Sequence, residues 1–553
     1  MFGLFLRDRR GSVLPIFAVA TVPLLVSMGA VVDYTNAFDE KTVVQDAMDS
    51  AALAAGKRIG LISTSEVQAE AEAFFLANVE GKVKTTPILA TAIAGSTITL
   101  TTTLNVDTYF LGMIGLDEFV LNLKAQATLA MGTLEVVMAL DNSGSMAGSK
   151  ISTLKTAATD LTTTLHDLAA TSTKPDPIKI GLAPFAASVN VDPANANADW
   201  IDTTAVGTYH LDSMDDAAPT LNGLTYFSYM NDTSWGGCVE ERPIPNDVSD
   251  VAAMTTDPDT MFVPMFAPDE PDNWTCSSTS CTTVGSGSTR RYNDSRTGAR
   301  SYNNYLPDFG GICSGDNTKW TCSNGDDDCA GAGIGESEET AFERTCKYGD
   351  ADNKVTPEAG LTVGGIPGGP NFMCTTTAVT PLTTSQTTIE TAIGNMAAIG
   401  ATNITAGLMW GWRLLSPGAP FGEGRAYTET DNQKILILMT DGANTYYPNS
   451  KFLGSWYGAW GYVSKGHLGT TSTSTATLVG KMNERTALAC DNAKVANVQV
   501  YTVAFNVTDT ATLAMLEDCA SEPEMAFQST GESALLAAFT AIGDDITLLR
   551  VSQ

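Results

Sequence analysis

The chain predicts an α/β fold, built on a central and mostly parallel sheet flanked by helices. Three observations carry this expectation. Val136–Leu140 is a short, wholly apolar run, as a strand buried on both faces must be. It leads into the polar turn Asp141-Asn-Ser-Gly-Ser145, after which Ile151, Leu154, Ala157, Ala158, Leu161 and Leu165 recur at helical spacing. A second apolar run, Lys434-Ile-Leu-Ile-Leu-Met-Thr440, ends in Asp441-Gly442. Strand, polar turn, helix is the unit from which open sheets build sites at the carboxyl ends of their strands.

At the N-terminus, residues 1–11 carry Arg7, Arg9 and Arg10, and Ser12–Val32 runs for 21 residues without a charge. At about 1.5 Å per residue that segment can span a bilayer. A basic flank before it and Asp33, Asp39 and Glu40 after it place the N-terminus in the cytoplasm and the rest outside. Pro15 and Pro23 are tolerated in such a helix. A cleaved signal peptide, with small residues near Ser27-Met-Gly29, is the alternative to the retained helix preferred here. The helical pattern continues through Val43, Val44, Ala47, Met48, Ala51, Ala52 and Ala55. Residues 64–80 form an amphipathic helix on Val67, Ala71, Phe74, Phe75 and Ala77, and 84–132 turn strand-like, with alternation over Thr97–Val106 and Phe119–Met131. The expected order is a stub with its transmembrane helix over 1–58, then a small α+β module over 59–132.

The principal domain is expected over 133–553. Its next strand is Ile178–Phe185, reached by a hairpin-like return. From 190 to 380 the sequence is rich in Thr, Asp, Gly, Asn, Pro and Trp and has little periodicity. A structureless loop of that length is suspect in a compact domain. Eight of the ten cysteines lie here, from Cys238 to Cys374, so the segment reads as a large disulfide-rich insertion and the compartment as oxidising. Cys276–Cys281 and Cys322–Cys329 read as local pairs. The core returns with a helix near 386–398, another over Ala406–Leu415, and the strand ending at Asp441. An aromatic loop follows at 443–475, then a helix at 477–496, strand Val498–Phe505, and helices at 509–518 and 532–549. Cys490 and Cys519 are placed to clip the last layers together.

A chain of 553 residues should hold more than one domain. Its net charge of −31, from 62 acids against 31 bases, argues against nucleic-acid binding and suits a surface that attracts divalent cations. His166, His210 and His467 lie far apart and none pairs with a cysteine at zinc spacing, so they read as packing or surface residues. Neither a Gly-x-Ser-x-Gly elbow nor a Cys-His pair occurs, which disfavours an enzyme. Paired carboxylates keep a hydrolase as an alternative.

The turn at 141–145 offers one carboxylate and two hydroxyls, with Gly144 allowing close backbone approach. Hard oxygen donors suit Mg²⁺, Ca²⁺ or Mn²⁺. Alone, Asp-x-Ser-x-Ser is also a helix N-cap turn. Joined in order with Gly400-Ala-Thr402-Asn403 and Thr440-Asp441-Gly442, it resembles the metal-ion-dependent adhesion site of von Willebrand factor A (vWA) domains, which have a Rossmann-like fold. The resemblance implies that Ser143, Ser145 and Thr402 supply hydroxyls to a divalent cation, Mg²⁺ before Ca²⁺ or Mn²⁺. It implies that Asp141 and Asp441 bind the ion directly or through water. Thr405 competes for the threonine role, but Thr402 better matches the family's Gly-x-Thr-Asn. An open coordination position filled by a partner's acidic residue is implied too. Asp326-Asp-Asp328 could bind Ca²⁺, but an acidic loop of this kind is more often simply solvated.

At the N-terminus, Asp8-Arg-Arg-Gly-Ser-Val-Leu-Pro-Ile-Phe-Ala18, Val32-Asp-Tyr34 and Gln45–Ala55 resemble TadE/TadG-type proteins of the tight-adherence (Flp) pilus machinery over about 7–57. With a vWA domain downstream, the TadG type is implied. Prepilin processing favours an acid at the fifth residue after the cleavage glycine; after Gly11 that residue is Ile16. The expectation is a single-pass bacterial inner-membrane protein, bulk outside, that binds rather than turns over. Its expected partners are pilus or envelope proteins offering an acidic ligand residue, and its role is in pilus biogenesis and surface adhesion. A structural envelope protein whose metal only stabilises the fold is the alternative. The insertion is either the recognition surface or a rigid cap, and the aromatics of 446–462 either touch a partner or sugar or bury themselves.

Overall fold

The computed structural model describes residues 13–551 except 60–61, 95–96, 129–131, 173, 215–220, 344, 353 and 450–452; within 271–341 it describes 283–284, 291–292, 302–306, 313–316 and 319–322. The chain divides into two compact units, one of 1–132 with 167–177 and 545–553, the other of 133–166 with 178–544.

In the first unit, helix α1 (Val13–Gly56) is continuous through Pro23. Val44, Ala47, Met48, Ala51, Ala52 and Ala55 are buried on one face, as their spacing requires. They share an apolar cluster with α2 (Thr64–Val79) and the antiparallel sheet β1 (Ala90–Ala94), β2 (Thr97–Asp107), β3 (Glu118–Thr128), to which Ile98, Leu100 and Leu104 contribute. Ser63 starts α2 with a capping box closed by Glu66. The buried stripe of α2 is Val67, Ala71, Phe75 and Val79, so Phe74, expected inside, is 46% exposed and Ala77 is exposed as well. A 3.6-residue period that keeps 67 and 71 inward selects 75 and turns its neighbour out.

The second unit is built on β4 (Thr133–Asp141), α3 (Ser149–Ala170), β5 (Ile178–Phe185), β6 (Val189–Asn190), β7 (Cys238–Val239), β8 (Thr380–Thr383), α4 (Gln386–Asn395), α5 (Ile404–Leu415), β9 (Asn432–Thr440), α6 (Thr475–Val495), β10 (Val498–Phe505), α7 (Thr510–Cys519), β11 (Ala526–Ser529) and α8 (Glu532–Val551), of which α3 from 167 and α8 from 545 are counted in the first unit. The sheet order is β11-β10-β9-β4-β5-β6-β7, with β8 also on β5. From β11 to β5 every pairing is parallel; β6, β7 and β8 are antiparallel additions at one edge. Every residue of β4 is buried, as a central strand covered on both faces must be. The hairpin-like return before Ile178 is not found. β4 and β5 are parallel neighbours, and parallel pairing needs a crossover, which α3 provides.

At the start of β4, the fully buried Glu135 lies opposite Lys434 in register, and Lys434 Nζ donates to Glu135 Oε2 at 2.5 Å. The 190–380 segment does not stand apart from the core. Its Tyr226, Phe227, Trp235, Phe262 and Phe266 join one apolar cluster with Val137, Phe185, Trp410 and Leu436. Cys238 in β7 is bonded to Cys374, and Cys490 in α6 to Cys519 at the end of α7. The pairings 276–281 and 322–329 and the Asp326–Asp328 site rest on side chains outside the described residues. In the aromatic loop Tyr446, Tyr457, Trp460 and Tyr462 are buried. His210 is a packing residue: Nδ1 meets Asp202 Oδ2 at 2.8 Å, and Nε2 accepts from Gly223 N.

Candidate metal centre

After β4 the chain proceeds to β5 on one side, whereas β9 lies on the other side of β4. The crevice beyond the ends of β4 and β9 is therefore the topological switch point, where open α/β sheets bind ligands. Asp141 ends β4, and Asp441 immediately follows β9.

Asp141 is fully buried. Its Oδ1 accepts from Ser143 N at 2.8 Å, and its Oδ2 from Thr440 Oγ1 at 2.7 Å. Burial pushes its carboxyl up to about 6; the bonds from Thr440 and Ser143 pull it back, and the charge of Asp441 adds to the rise. Ser143 Oγ and Ser145 Oγ are 3.0 Å apart, and Ser145 Oγ donates to Asp441 Oδ1 at 2.5 Å. Lys150, in the first turn of α3, donates from Nζ to Asp441 Oδ2 at 2.6 Å. Four of the five expected residues thus form one hydrogen-bonded chain from Asp141 through Ser143 and Ser145 to Asp441.

The fifth, Thr402, arrives on a third loop. Gly144 N donates to Gly400 O at 2.9 Å, and Ile399 N to Asn142 O at 2.9 Å, so the 399–402 backbone is laid against the 142–144 turn. A Cβ on Gly144 would stand 3.4 Å from Gly400 O, and Gly400 has φ +100°. Both glycines serve this close approach. Thr402 is buried, and its carbonyl accepts from Thr445 N at 2.8 Å, which ties the loop to the one after Asp441. Asn403 then caps α5 through Ala406 N. Thr405, the competing threonine, points elsewhere: its hydroxyl is 2.8 Å from Thr486 Oγ1 and donates to Met482 O, both on α6.

Among the described residues no group of three or more His, Cys, Asp and Glu side chains is placed to hold a metal ion. A cation here must draw on hydroxyls as well as on the two carboxylates. That donor set is hard oxygen throughout and fits a Mg²⁺-like ion, and a desolvated carboxylate beside a second one is where such a charge is most stabilising. Sequence reasoning missed Thr440 and Lys150. The available signal for Lys150 was its place in the first turn of a helix, where the macrodipole disfavours a cation unless an acid holds it.

The fold and this arrangement define an α/β domain with an oxygen-lined switch-point site, which follows an N-terminal helix along the chain. Residues 11–58 match the family model described as putative Flp pilus-assembly TadE/G-like. No curated protein matches the chain's sequence. Among solved structures, the pilus adhesin SpaC from Lactobacillus rhamnosus GG is 10% identical, covers 83% of this chain and 34% of its own, and has a TM-score of 0.31. The vWF domain of the type V pili tip protein Mfa5 from Porphyromonas gingivalis is 9% identical, with 75% and 96% covered and a TM-score of 0.30. The pilus adhesin RrgA from Streptococcus pneumoniae is 12% identical, with 81% and 47% covered and a TM-score of 0.28. The chain thus spans 34% of the length of the SpaC chain it matches.

Proposed function

We propose that this protein is a membrane-anchored, vWA-type subunit of a Flp/Tad pilus system that grips a partner through one divalent cation held by Asp141, Ser143, Ser145, Thr402 and Asp441. The TadE/G-like match over 11–58 supports the pilus association. Helix α1 is long and apolar enough to cross a membrane, which supports the anchor. The observation that carries the metal reading is the meeting, at the switch point, of oxygen donors from loops nearly 300 residues apart: Ser145 on Asp441 spans 296 residues of sequence.

The chain's own residues define what such a site does. Asp141, buried and held by Thr440 and the Ser143 amide, is a carboxyl fixed in position at the floor of the site. Ser145 and Gly144 are exposed, so the mouth opens on their side. When bound, the cation supplies the positive charge that an acidic partner residue meets. Binding, not turnover, is the activity of this reading; the partners are pilus or envelope proteins, and the anchored bulk lies outside the bacterial inner membrane.

Titration calorimetry of the chain with Mg²⁺, Ca²⁺ and Mn²⁺ tests it. Saturable binding to the wild type and none to the Asp141→Ala/Asp441→Ala double variant is expected. Equal heats from both would overturn it.

A further inference from the structure

Asp33 is the first charge after the uncharged segment Ser12–Val32, and it is buried. Its carboxylate accepts three consecutive backbone N–H groups from a loop of the same unit: Tyr109 at 2.9 Å, Phe110 at 2.8 Å and Leu111 at 2.7 Å. The loop is thereby held against α1 at the end of its apolar stretch. Phe110 reaches further. A Cβ on Gly29 would lie 2.4 Å from Phe110 Cβ, so Phe110 packs directly on the glycine backbone. Gly29 precedes Asp33 by four residues, about 6 Å along the helix axis, and belongs to the uncharged segment.

The rest of the loop is apolar and uncovered. Tyr109 is 58% exposed, Met113 81%, Ile114 57% and Leu116 52%, and the adjacent helix presents Met28 and Val31 at 69% and 65%. Lys84 Nζ sits 4.3 Å from the centre of the Tyr109 ring, an amphipathic pair of the kind that populates membrane–water boundaries.

We propose that loop 109–116 is a second membrane contact, inserting Met113, Ile114 and Leu116 into the outer boundary of the same bilayer that α1 crosses. The proposal rests on the anchor reading above. The occupant is lipid because the loop touches the helix inside its uncharged stretch: a bilayer that contains residues 12–32 reaches the level of Gly29, and so of Phe110. Asp33 explains how backbone can sit there. Peptide N–H groups near hydrocarbon must be satisfied within the protein, and one carboxylate satisfies three.

The test places an environment-sensitive fluorescent amino acid at single positions of the full chain, reconstituted in phosphatidylcholine/phosphatidylglycerol vesicles with or without nitroxide-labelled lipid. Position 113 reports on the loop and position 25 on the anchor. Position 53, about 30 Å along α1 beyond Asp33, is the aqueous control. Blue-shifted emission quenched by labelled lipid at 113 and 25 but not at 53 is expected. Quenching at 25 with a water-like spectrum at 113 overturns the loop contact and leaves the anchor standing. A blue-shifted but unquenched probe at 113 overturns it in favour of a protein cover. Water-like spectra at both 113 and 25 overturn the anchor and the loop contact with it.

Discussion

Lys150 Nζ lies 2.6 Å from Asp441 Oδ2, joining the first turn of α3 to the end of β9. The Asp441 side chain is fully buried and that of Lys150 32% exposed, so a tethered cation already occupies one face of the acid expected to hold a metal. Charge-assisted hydrogen bonds contribute about 1.5–3 kcal/mol. A divalent ion that takes Asp441 competes with this one. Lys150→Met is therefore expected to raise affinity for Mg²⁺ about tenfold, since 1.4 kcal/mol is a factor of ten. Calorimetry reads this directly, and a weakened site would show that the lysine supports the metal rather than competes with it.

Gly400 joins the Thr402 loop to the Ser143 turn. With φ +100° and a Cβ position only 2.6 Å from Thr375 Oγ1, it admits no side chain without movement. Gly400→Ala is expected to cost about 1–3 kcal/mol in folding free energy, the scale of a strained backbone position. Urea denaturation measures that cost. Metal affinity should fall as well, because the loop that delivers Thr402 is displaced.

Buried acids set the pH dependence of the second unit. Burial pushes Glu270 up to about 7 against the opposing bonds from Asn303 N and the Tyr462 hydroxyl. Burial pushes Glu241 to about 7 as well, with Arg413 opposing. A carboxyl that binds its proton more tightly when folded makes the folded state the more protonated one. Stability then falls as pH rises from the unfolded value, near 4.5, through the folded value near 7. The thermal midpoint is expected to be higher at pH 5 than at pH 8 by about 5 °C, since the two acids together contribute about 5 kcal/mol over that range and a unit of about 400 residues shifts by about 1 °C per kcal/mol. Calorimetric scans at the two pH values check this, and a higher midpoint at pH 8 would show that these acids are ionised in the fold.

Cys490 and Cys519 close a loop of 29 residues between α6 and α7, beside strand β10. Replacing both by serine is expected to cost about 2–5 kcal/mol. Guanidinium midpoints of the double variant against the wild type measure it, and an unchanged midpoint would mean that packing alone holds the two helices.

Much of the second unit was legible because its elements advertise their surroundings. Apolar runs at 136–140, 178–185, 434–440 and 498–505 each became a sheet strand, and Cys490 and Cys519 met as their positions suggested. What was not legible lies at the edges. β7 is a two-residue strand and β11 a four-residue one, too short for periodicity to register. The antiparallel β6, β7 and β8 extend an otherwise parallel sheet, which no local pattern announces. Phe74 and Phe75 are adjacent aromatics on a helix; choosing which one faces inward needs the neighbouring surface.

The candidate site divides in the same way. The order Asp141, Ser143, Ser145, then Thr402, then Asp441 was plain along the chain, and so was the chemistry of those oxygens. That four of them share hydrogen bonds was decided by the sheet, which seats β9 beside β4 rather than beside β8, its predecessor along the chain. The sequence by itself determined which segments are buried strands, which turns are polar and which helix can lie in lipid, because those follow from the period of apolar residues over a few turns of chain. Only the tertiary structure decided that Gly144 meets Gly400, that Lys150 reaches Asp441 and that Asp33 holds the backbone of 109–111. The physical reason is chain separation: contacts across 76 to 291 residues depend on strand order and helix packing summed over the unit, and no short window of sequence encodes them.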